Sequence, residues 1–455
     1  MTQGRNSDAR GRRIATKGKP RPAQAETAPA PDDIGVEARV VAGILLNAAL
    51  EKRNGLDEAL SQPAARALEP VDRAFARAVA MAALRRLGEI DQILDRRLQK
   101  APPEAVRTLL RIALAQTLVL ETPAFAAVST AVKLAERDPK TRPYKNLVNA
   151  VLRGIGRDGP GLTTAERNLP DWIAARWKAT YGEAALTGLA LAAREEPATD
   201  LSLKPGVDPA AIAAAVEGEA LPGGTVRTGR RGDVATWPGF EDGDWWVQDA
   251  AAAVPGRLLH VKPGETALDM CAAPGGKTLQ LAAAGASVVA LDRSAPRLKR
   301  LTQNLERTGL TVEVVAVPAE DWDDARAFDA VLLDAPCTAT GTFRRNPEVL
   351  RATRPAEVAK LADVQHRLLD AAAERVKPGG RLVYCVCSLE REEGETQILA
   401  FLRRNPEFAL TPADADAVGA PSEALAEEGW LRLHPGQWPE RGGLDGFFVA
   451  RLERG

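Results

Sequence analysis

Four cysteines, at 271, 337, 385 and 387, lie in the second half of a 455-residue chain. Three of them stand where an apolar run gives way to a turn: Cys271 after Asp269 and Met270, Cys337 after Asp334-Ala335-Pro336, and Cys387 before Ser388. Core filler would not fall at such ends so consistently, whereas Cys385, two residues inside the last run, reads as buried packing. A thiolate is a strong nucleophile at an accessible pKa, so cysteines gathered beside a carboxylate suit covalent catalysis. The stretch Asp269-Met270-Cys271-Ala272-Ala273-Pro274-Gly275-Gly276-Lys277-Thr278 then turns into a helical pattern. A glycine pair at a strand-to-helix turn lets a ligand approach the backbone, and a helix N-terminus offers free N–H groups. This predicts a cradle for a nucleotide-type cofactor.

Asp292 follows 23 residues after Asp269, at the end of the next apolar run. An acid about 20 residues on is where such folds hold a ribose diol. The glycine spacing is not that of a dinucleotide loop, which disfavours a dehydrogenase, and S-adenosylmethionine is the expected cofactor. The cysteine spacings do not match paired zinc ligands, so no metal is expected. A methyl donor beside two thiols and a carboxylate suits cytosine C5. That carbon becomes nucleophilic only after a thiolate adds to C6, with a carboxyl near N3 stabilising the adduct and a base later removing the C5 proton.

These residues need a frame that brings strand ends together. From about 241 apolar strands alternate with helical patterns, the mark of a parallel doubly wound sheet. Strands are predicted at 266–270, 287–291, 312–317, 328–334 and 381–387, helices at 276–284, 294–308 and 356–376, and a closing strand pair near 430–433 and 446–452. In a 3-2-1-4-5 order the first, fourth and fifth strands adjoin, and ligands bind at their carboxyl ends.

Upstream, 34–156 is helical throughout, with Val40, Val41, Ile44, Leu45 and Ala48 on a 3.6-residue period. The run from Leu109 to Leu114 is apolar all round except for Arg111 and predicts a central helix. Residues 154–161 read as a linker, and 165–240 as a small α+β connector with a flexible, arginine-bearing stretch from Pro222 to Gly232. Residues 1–33, basic and poor in large apolar side chains, predict a disordered tail, either simply solvated or attracted weakly to polyanions. The expected fold is thus multidomain: an all-α domain, the connector and an α/β domain over 241–455.

A net charge of −1 confines any nucleic-acid contact to local basic patches. Phe343-Arg344-Arg345-Asn346, with Arg351 and Arg354, follows Cys337 and is expected to grip phosphates, whereas Arg293, Arg297, Lys299 and Arg300 read as ordinary surface. No apolar run approaches the ~20 residues that span a bilayer, and no apolar leader opens the chain. A monomeric cytoplasmic protein with reduced thiols is expected.

Two resemblances extend this reading. Leu110-Arg111-Ile112-Ala113-Leu114-Ala115-Gln116, Pro123-Ala124-Phe125-Ala126-Ala127-Val128 and Lys145-Asn146-Leu147-Val148-Asn149-Ala150-Val151-Leu152-Arg153 resemble the NusB-type helical RNA-binding domain. Asp269 through Thr278, Asp334-Ala335-Pro336-Cys337-Thr338-Ala339-Thr340-Gly341 and Tyr384-Cys385-Val386-Cys387-Ser388 resemble successive motifs of the Nol1/Nop2/Sun RNA cytosine-C5 methyltransferases. Val247-Gln248-Asp249-Ala250-Ala251 and Asp445-Gly446-Phe447-Phe448 are similar to that family's flanking signatures. The resemblance implies Cys387 as nucleophile, Cys337 as the residue that helps release product, and Asp334 facing both the cytosine and the cofactor. It implies cofactor contacts from Cys271, Ala272, Ala273, Pro274, Gly275, Gly276, Lys277 and Asp292. The family's adenine-binding aspartate after the third strand is replaced here by Val317-Pro318-Ala319-Glu320-Asp321, where Glu320 or Asp321 is expected to substitute. Joined to a NusB-like domain, the pattern implies 16S rRNA as substrate. A tRNA methyltransferase and an RNA-binding scaffold with a vestigial catalytic half are the alternatives.

Overall fold

Residues 35–52 and 55–455 are described in this computed structural model, so the tail expected over 1–33 lies outside the described residues. The chain opens with helices, among them Val36–Glu51, Pro70–Arg85, Glu104–Leu118, Ala124–Arg137 and Lys145–Asp158. Helix Glu104–Leu118 is central, with Leu110, Ala113 and Leu114 buried. Arg111, the one charged residue in the Leu109–Leu114 run, is also buried and donates to Asp91 at 2.8 and 2.9 Å and to Glu104. The linker expected at 154–161 is a correction: Lys145–Asp158 continues through Gly154 and Gly156. Val148, Val151, Leu152 and Ile155 form one buried stripe whose packing outweighs the poor helix propensity of two glycines.

Helix Asp171–Arg194 leads into a four-stranded antiparallel sheet of β1 (Thr199–Leu203), β2 (Gly218–Ala220), β3 (Val226–Thr228) and β4 (Trp245–Val247), in the order β2-β3-β1-β4. β3 lies inside the stretch expected to be flexible. Its Arg227 is buried because Asp200 on β1 receives it twice, at 2.7 Å each. β4 carries this sheet past residue 240, with Trp245 and Trp246 turned into the core.

The larger sheet holds β5 (Thr266–Met270), β6 (Ser287–Leu291), β7 (Glu313–Val315), β8 (Phe328–Asp334), β9 (Val376–Val386), β10 (Phe408–Thr411), β11 (Leu431–Leu433) and β12 (Phe447–Arg454). Its path is β10-β12-β9-β8-β5-β6-β7, parallel from β7 to β9, with β12 antiparallel against β9 and β11 pairing β12. The five parallel strands follow the order read from the sequence. β10, a short edge strand after Pro406, is additional. No helix among the described residues is long and apolar enough to cross a membrane.

The segment after Cys337 joins these parts. Phe343 is buried against Trp177 of the connector helix, ring centroids 5.5 Å apart. Arg345 donates to Asp249, to Asp445 at 3.1 Å and to the Ala198 carbonyl at 3.2 Å. Arg85 of the helical domain donates to the Arg344 carbonyl at 3.0 Å, and Arg351 to the Asn168 carbonyl at 2.9 Å. The phosphate-gripping role expected of Arg344 and Arg345 is therefore corrected: Arg344 is buried, with its carbonyl held by Arg85, and the Arg345 side chain turns inward to hold the protein's parts together. Burial acts to raise the Asp249 carboxyl, but Arg345, with Arg344 and Arg227 nearby, outweighs it and holds it at about 2.

Removing one member of a buried charge cluster leaves its partners desolvated and unpaired, at a cost of about 3–5 kcal/mol. Arg345→Ala should lower the urea-unfolding free energy by about that amount. Arg345→Lys should recover only part of it, because an ammonium cannot fork between two carboxylates.

Candidate active site

The cofactor loop leaves β5 through a left-handed Cys271 and reaches helix Gly276–Ala283 through Gly275 at φ 109°. A side chain at Gly275 would collide with Leu301, its Cβ falling 2.4 Å from the leucine Cδ1, so only glycine lets the loop lie against helix Ala295–Thr308. Asp292, at the end of β6, is buried and accepts from the backbone N–H of Ala273 at 3.1 Å and of Ser294 at 2.8 Å. Below the loop, Asp269 is fully buried. Its Oδ2 accepts from Thr278 at 2.6 Å and its Oδ1 has no partner. Burial, with Asp334 adding to it against the Thr278 bond, pushes the Asp269 carboxyl up to about 7. An orphaned acceptor, a glycine-lined turn and a carboxylate at the next strand end fit a nucleoside-bearing cofactor with a cationic centre.

At the adjoining ends of β8 and β9, Asp334 meets two donors. Lys277 donates from Nζ to Oδ2 at 2.7 Å, and Cys385 from Sγ to Oδ1 at 3.5 Å. Lys277 is buried, with its ammonium 5.1 Å from the Phe447 ring centroid. Burial acts to lower its pKa, but Asp334 outweighs it and the net shift is upward. The Cys337 and Cys387 sulfurs stand 3.5 Å apart, and neither cysteine is in a disulfide. Its hydrogen bond with Cys387, followed by burial, raises the Cys337 thiol well above its ordinary range. Burial does the same to Cys271 and Cys385. The Gly341 N–H donates to the Cys387 carbonyl at 3.0 Å. A Cβ on Gly341 would sit 2.1 Å from the Gly446 oxygen, so the loop after Cys337 packs tightly against the turn before β12 while bonding Cys387.

The structure thus gathers Cys271, Lys277, Asp269, Asp292, Asp334, Cys337 and Cys387 around the carboxyl ends of β5, β6, β8 and β9. Cys385 is buried as expected and also bonds Asp334. Glu320 and Asp321 lie on a single turn after β7. Glu320 pairs with Arg367 at 2.9 Å on the outer helix Pro355–Glu374, and Asp321 is exposed. Arg297, read as surface, is exposed yet reaches back to the Ala273 carbonyl and lies 3.7 Å from Asp292. Sequence reasoning missed Glu393, which is fully buried between Thr338 and Ser388. It sits in an acidic run that reads as a solvated turn, yet Glu390, Glu393 and Glu395 are all buried there. Their composition alone carries no sign of it. Among the described residues no group of three or more His, Cys, Asp or Glu could hold a metal ion.

A helical domain joined to a doubly wound sheet, with a glycine-lined loop and paired thiols at neighbouring strand ends, has the architecture of an RNA methyltransferase carrying a NusB-type domain. The model of the family described as 16S rRNA methyltransferase RsmB/F matches residues 257–453, and that of the NusB family matches 36–157. Ribosomal RNA small subunit methyltransferase B of Xanthomonas campestris is 35% identical over 445 residues, covering 94% of this chain and 98% of that protein. The enzyme of the same name from Thermus thermophilus is 35% identical, covering 84% of this chain and 89% of its own. The crystal structure of PH0851 superposes with a TM-score of 0.72 at 25% identity, covering 92% of this chain and 99% of that one. A methyltransferase homolog from Pyrococcus horikoshii gives a TM-score of 0.52 at 28% identity, covering 63% of this chain and 95% of its own. The chain belongs to the RsmB/F family of 16S rRNA methyltransferases.

Asp269 gives the cofactor-free protein a defined pH response. Its carboxyl ionises near 3.8 when unfolded and at about 7 when folded, so between these values the folded state holds the extra proton. The associated stability is complete below about pH 4, falls as pH rises by at most ~1.4 kcal/mol per unit, and is gone above about pH 7. Asp269→Asn should flatten this part of the decline in a plot of Tm against pH.

Proposed function

We propose that this protein transfers a methyl group from S-adenosylmethionine to C5 of a cytosine in 16S rRNA through a covalent bond between Cys387 and C6. The observation that carries this reading is the Cys337–Cys387 pair, 3.5 Å apart at strand ends beside the Lys277–Asp334 pair. Cys271 through Lys277, with Asp292 and Asp334, would hold the cofactor, and Glu320 or Asp321 would meet its adenine. S-adenosylmethionine, when bound there, supplies an electrophilic methyl group. The cytosine must leave its stack to reach the Cys387 thiol at the strand end, as in other enzymes that act on base atoms. A NusB-type domain and an rRNA substrate together favour a cytoplasmic role.

Cys387 adds to C6 as a thiolate, forming an S–C6 bond and moving the C5=C6 electron pair onto C5. Asp334, with the Lys277 ammonium on its other face, stabilises the adduct by proton sharing at N3. In the free enzyme the bond with Cys387 keeps Cys337 protonated. Once Cys387 becomes a thioether that cause is removed while burial remains, and on this reading Cys337 acts as base after its proton passes to water. Once C5 carries the methyl group that the cofactor would supply, bonded through the electron pair placed on C5, Cys337 takes the C5 proton, the C–H pair re-forms C5=C6, and the S–C6 bond breaks with its electrons returning to Cys387.

Cys387→Ala should lower methyl transfer by a factor of about 1,000 or more, and full retained activity would overturn the mechanism. Cys337→Ala should leave a protein–RNA adduct that survives a denaturing gel. Bisulfite sequencing of 16S rRNA from a strain lacking the protein should show one cytosine losing its protection.

A further inference from the structure

The two cysteines are supported differently, and one buried side chain stands between them. Glu393, on the single turn Arg391–Glu393 after β9, is fully buried. Its Oε1 accepts from the Thr338 N–H at 2.9 Å and from Gln365 Nε2 at 3.0 Å, and its Oε2 accepts from Thr338 Oγ1 and Ser388 Oγ, each at 2.5 Å. Thr338 follows Cys337 and Ser388 follows Cys387. All four donors are neutral, so the carboxylate serves no ion pair here; it fastens one cysteine's loop to the other's strand.

Cys387 has other anchors. It follows β9 directly, its carbonyl accepts from Gly341, and the Ser388 carbonyl accepts from Arg432 at 2.6 Å. On the Cys337 side, Ala335 donates to the Cys385 carbonyl at 3.0 Å and the Pro336 carbonyl accepts from Gln365 at 2.9 Å, both upstream of the cysteine. Immediately downstream, the Thr338 N–H donates to Glu393, while its hydroxyl bonds both Glu393 and, at 3.2 Å, Ser388 Oγ. Loss of Glu393 therefore leaves the Thr338 N–H unpaired and loosens the loop of Cys337 before the strand end of Cys387.

We propose that Glu393 is a positioning residue that holds Cys337 against Cys387 and so governs resolution of the covalent adduct more than its formation. This rests on the two-cysteine reading above. Resolution needs the C5 proton to reach the Cys337 sulfur as the S–C6 bond breaks, and a misplacement of about 1 Å can slow such a transfer about 100-fold. Formation needs only Cys387, whose strand-end anchors remain. Gln is not equivalent at this position, since its NH₂ would face one of the donors the second oxygen now receives.

The test uses the full chain with S-adenosylmethionine and 16S rRNA. It measures single-turnover methylation, multiple turnover and the covalent fraction on denaturing gels for Glu393→Gln, Thr338→Ala, Cys337→Ala and Cys387→Ala. Glu393→Gln should lower kcat about 100-fold with the RNA KM within about twofold, and adduct should accumulate as in Cys337→Ala. Thr338→Ala, which keeps the carboxylate and removes one donor, should show the same pattern at about tenfold, and it carries the test if the Gln variant loses its thermal transition. If Cys337→Ala traps adduct, Cys387→Ala forms none and both new variants turn over normally, the two-cysteine reading stands and the role of Glu393 is wrong. A parallel loss of adduct formation and turnover in a folded variant would likewise overturn it, marking general damage. If Cys337→Ala traps nothing, the two-cysteine reading itself fails.

Discussion

The parts of the structure are held in register through a charge cluster centred on one half-buried cation. Arg345 sits a few residues after Cys337 and receives Asp249 from the start of the catalytic domain and Asp445 from the turn before β12. Asp249 also caps helix Ala250–Leu259, accepting from Ala251 at 2.9 Å, and accepts from the Asp445 N–H at 3.1 Å. Beside them Asp200 binds Arg227, whose guanidinium reaches the carbonyls of Arg441 and Gly443 at 2.6 Å each. Five separate stretches of chain meet through these pairs. A buried cluster of this kind adds little net stability over a well-packed apolar one, because desolvation offsets most of the attraction. Its value is registry: the planar, forked guanidinium fixes where its partners lie. The catalytic loop is thereby set against the connector, and through Arg85 and Arg351 against the helical domain and the stretch before the connector helix.

The crevice has the opposite electrostatic character. Asp269, Asp292 and Asp334 converge there with Lys277 as their buried cation, and the unpartnered Oδ1 of Asp269 remains. An excess of buried carboxylate is unfavourable on its own, and the raised Asp269 pKa expresses that cost. A positively charged ligand would relieve it. The same residues that disfavour an empty crevice would thus favour a sulfonium donor over an uncharged product, which suits turnover on the proposed reading.

Much of this was legible in the sequence because chemistry and topology left local marks. Apolar runs of strand length ending in Asp or Cys located β5, β6, β8 and β9, and their alternation with helices fixed the parallel order. What was not legible depended on partners distant in the chain. Arg344 and Arg345 look like a phosphate grip until Asp249 and Asp445 are seen to face Arg345. Arg227 looks like part of a flexible loop until Asp200 is paired with it across β1. The run Glu390 to Glu395 has the composition of a solvated turn, but Trp177 donates to Glu390 at 3.0 Å and Arg432 to Glu395 at 3.1 and 2.5 Å, which carries it inside. Gly154 and Gly156 signal a linker locally, yet Ile155 extends a stripe that packing decides. In each case a tertiary partner overrode a correct local signal.

The division of support between the two cysteines follows from the chemistry each would perform. A nucleophile gains most from being held fixed, since its effective concentration falls steeply with displacement. Cys387 stands next to a central strand bonded on both sides, β8 on one and β12 on the other. The group that releases the product acts later, on a substrate whose geometry at C5 and C6 has changed, and it must first lose its own proton. A loop tethered by hydrogen bonds can adjust by fractions of an ångström where a strand cannot. The position of Cys337, buried at 5% exposure on such a loop and 3.5 Å from its partner, therefore fits a second-stage role and not a duplicate nucleophile. The same arrangement argues against a vestigial site. A chain released from catalysis would have no reason to keep a buried carboxylate, two thiols and a close glycine return at one strand end, since each is costlier there than an apolar side chain.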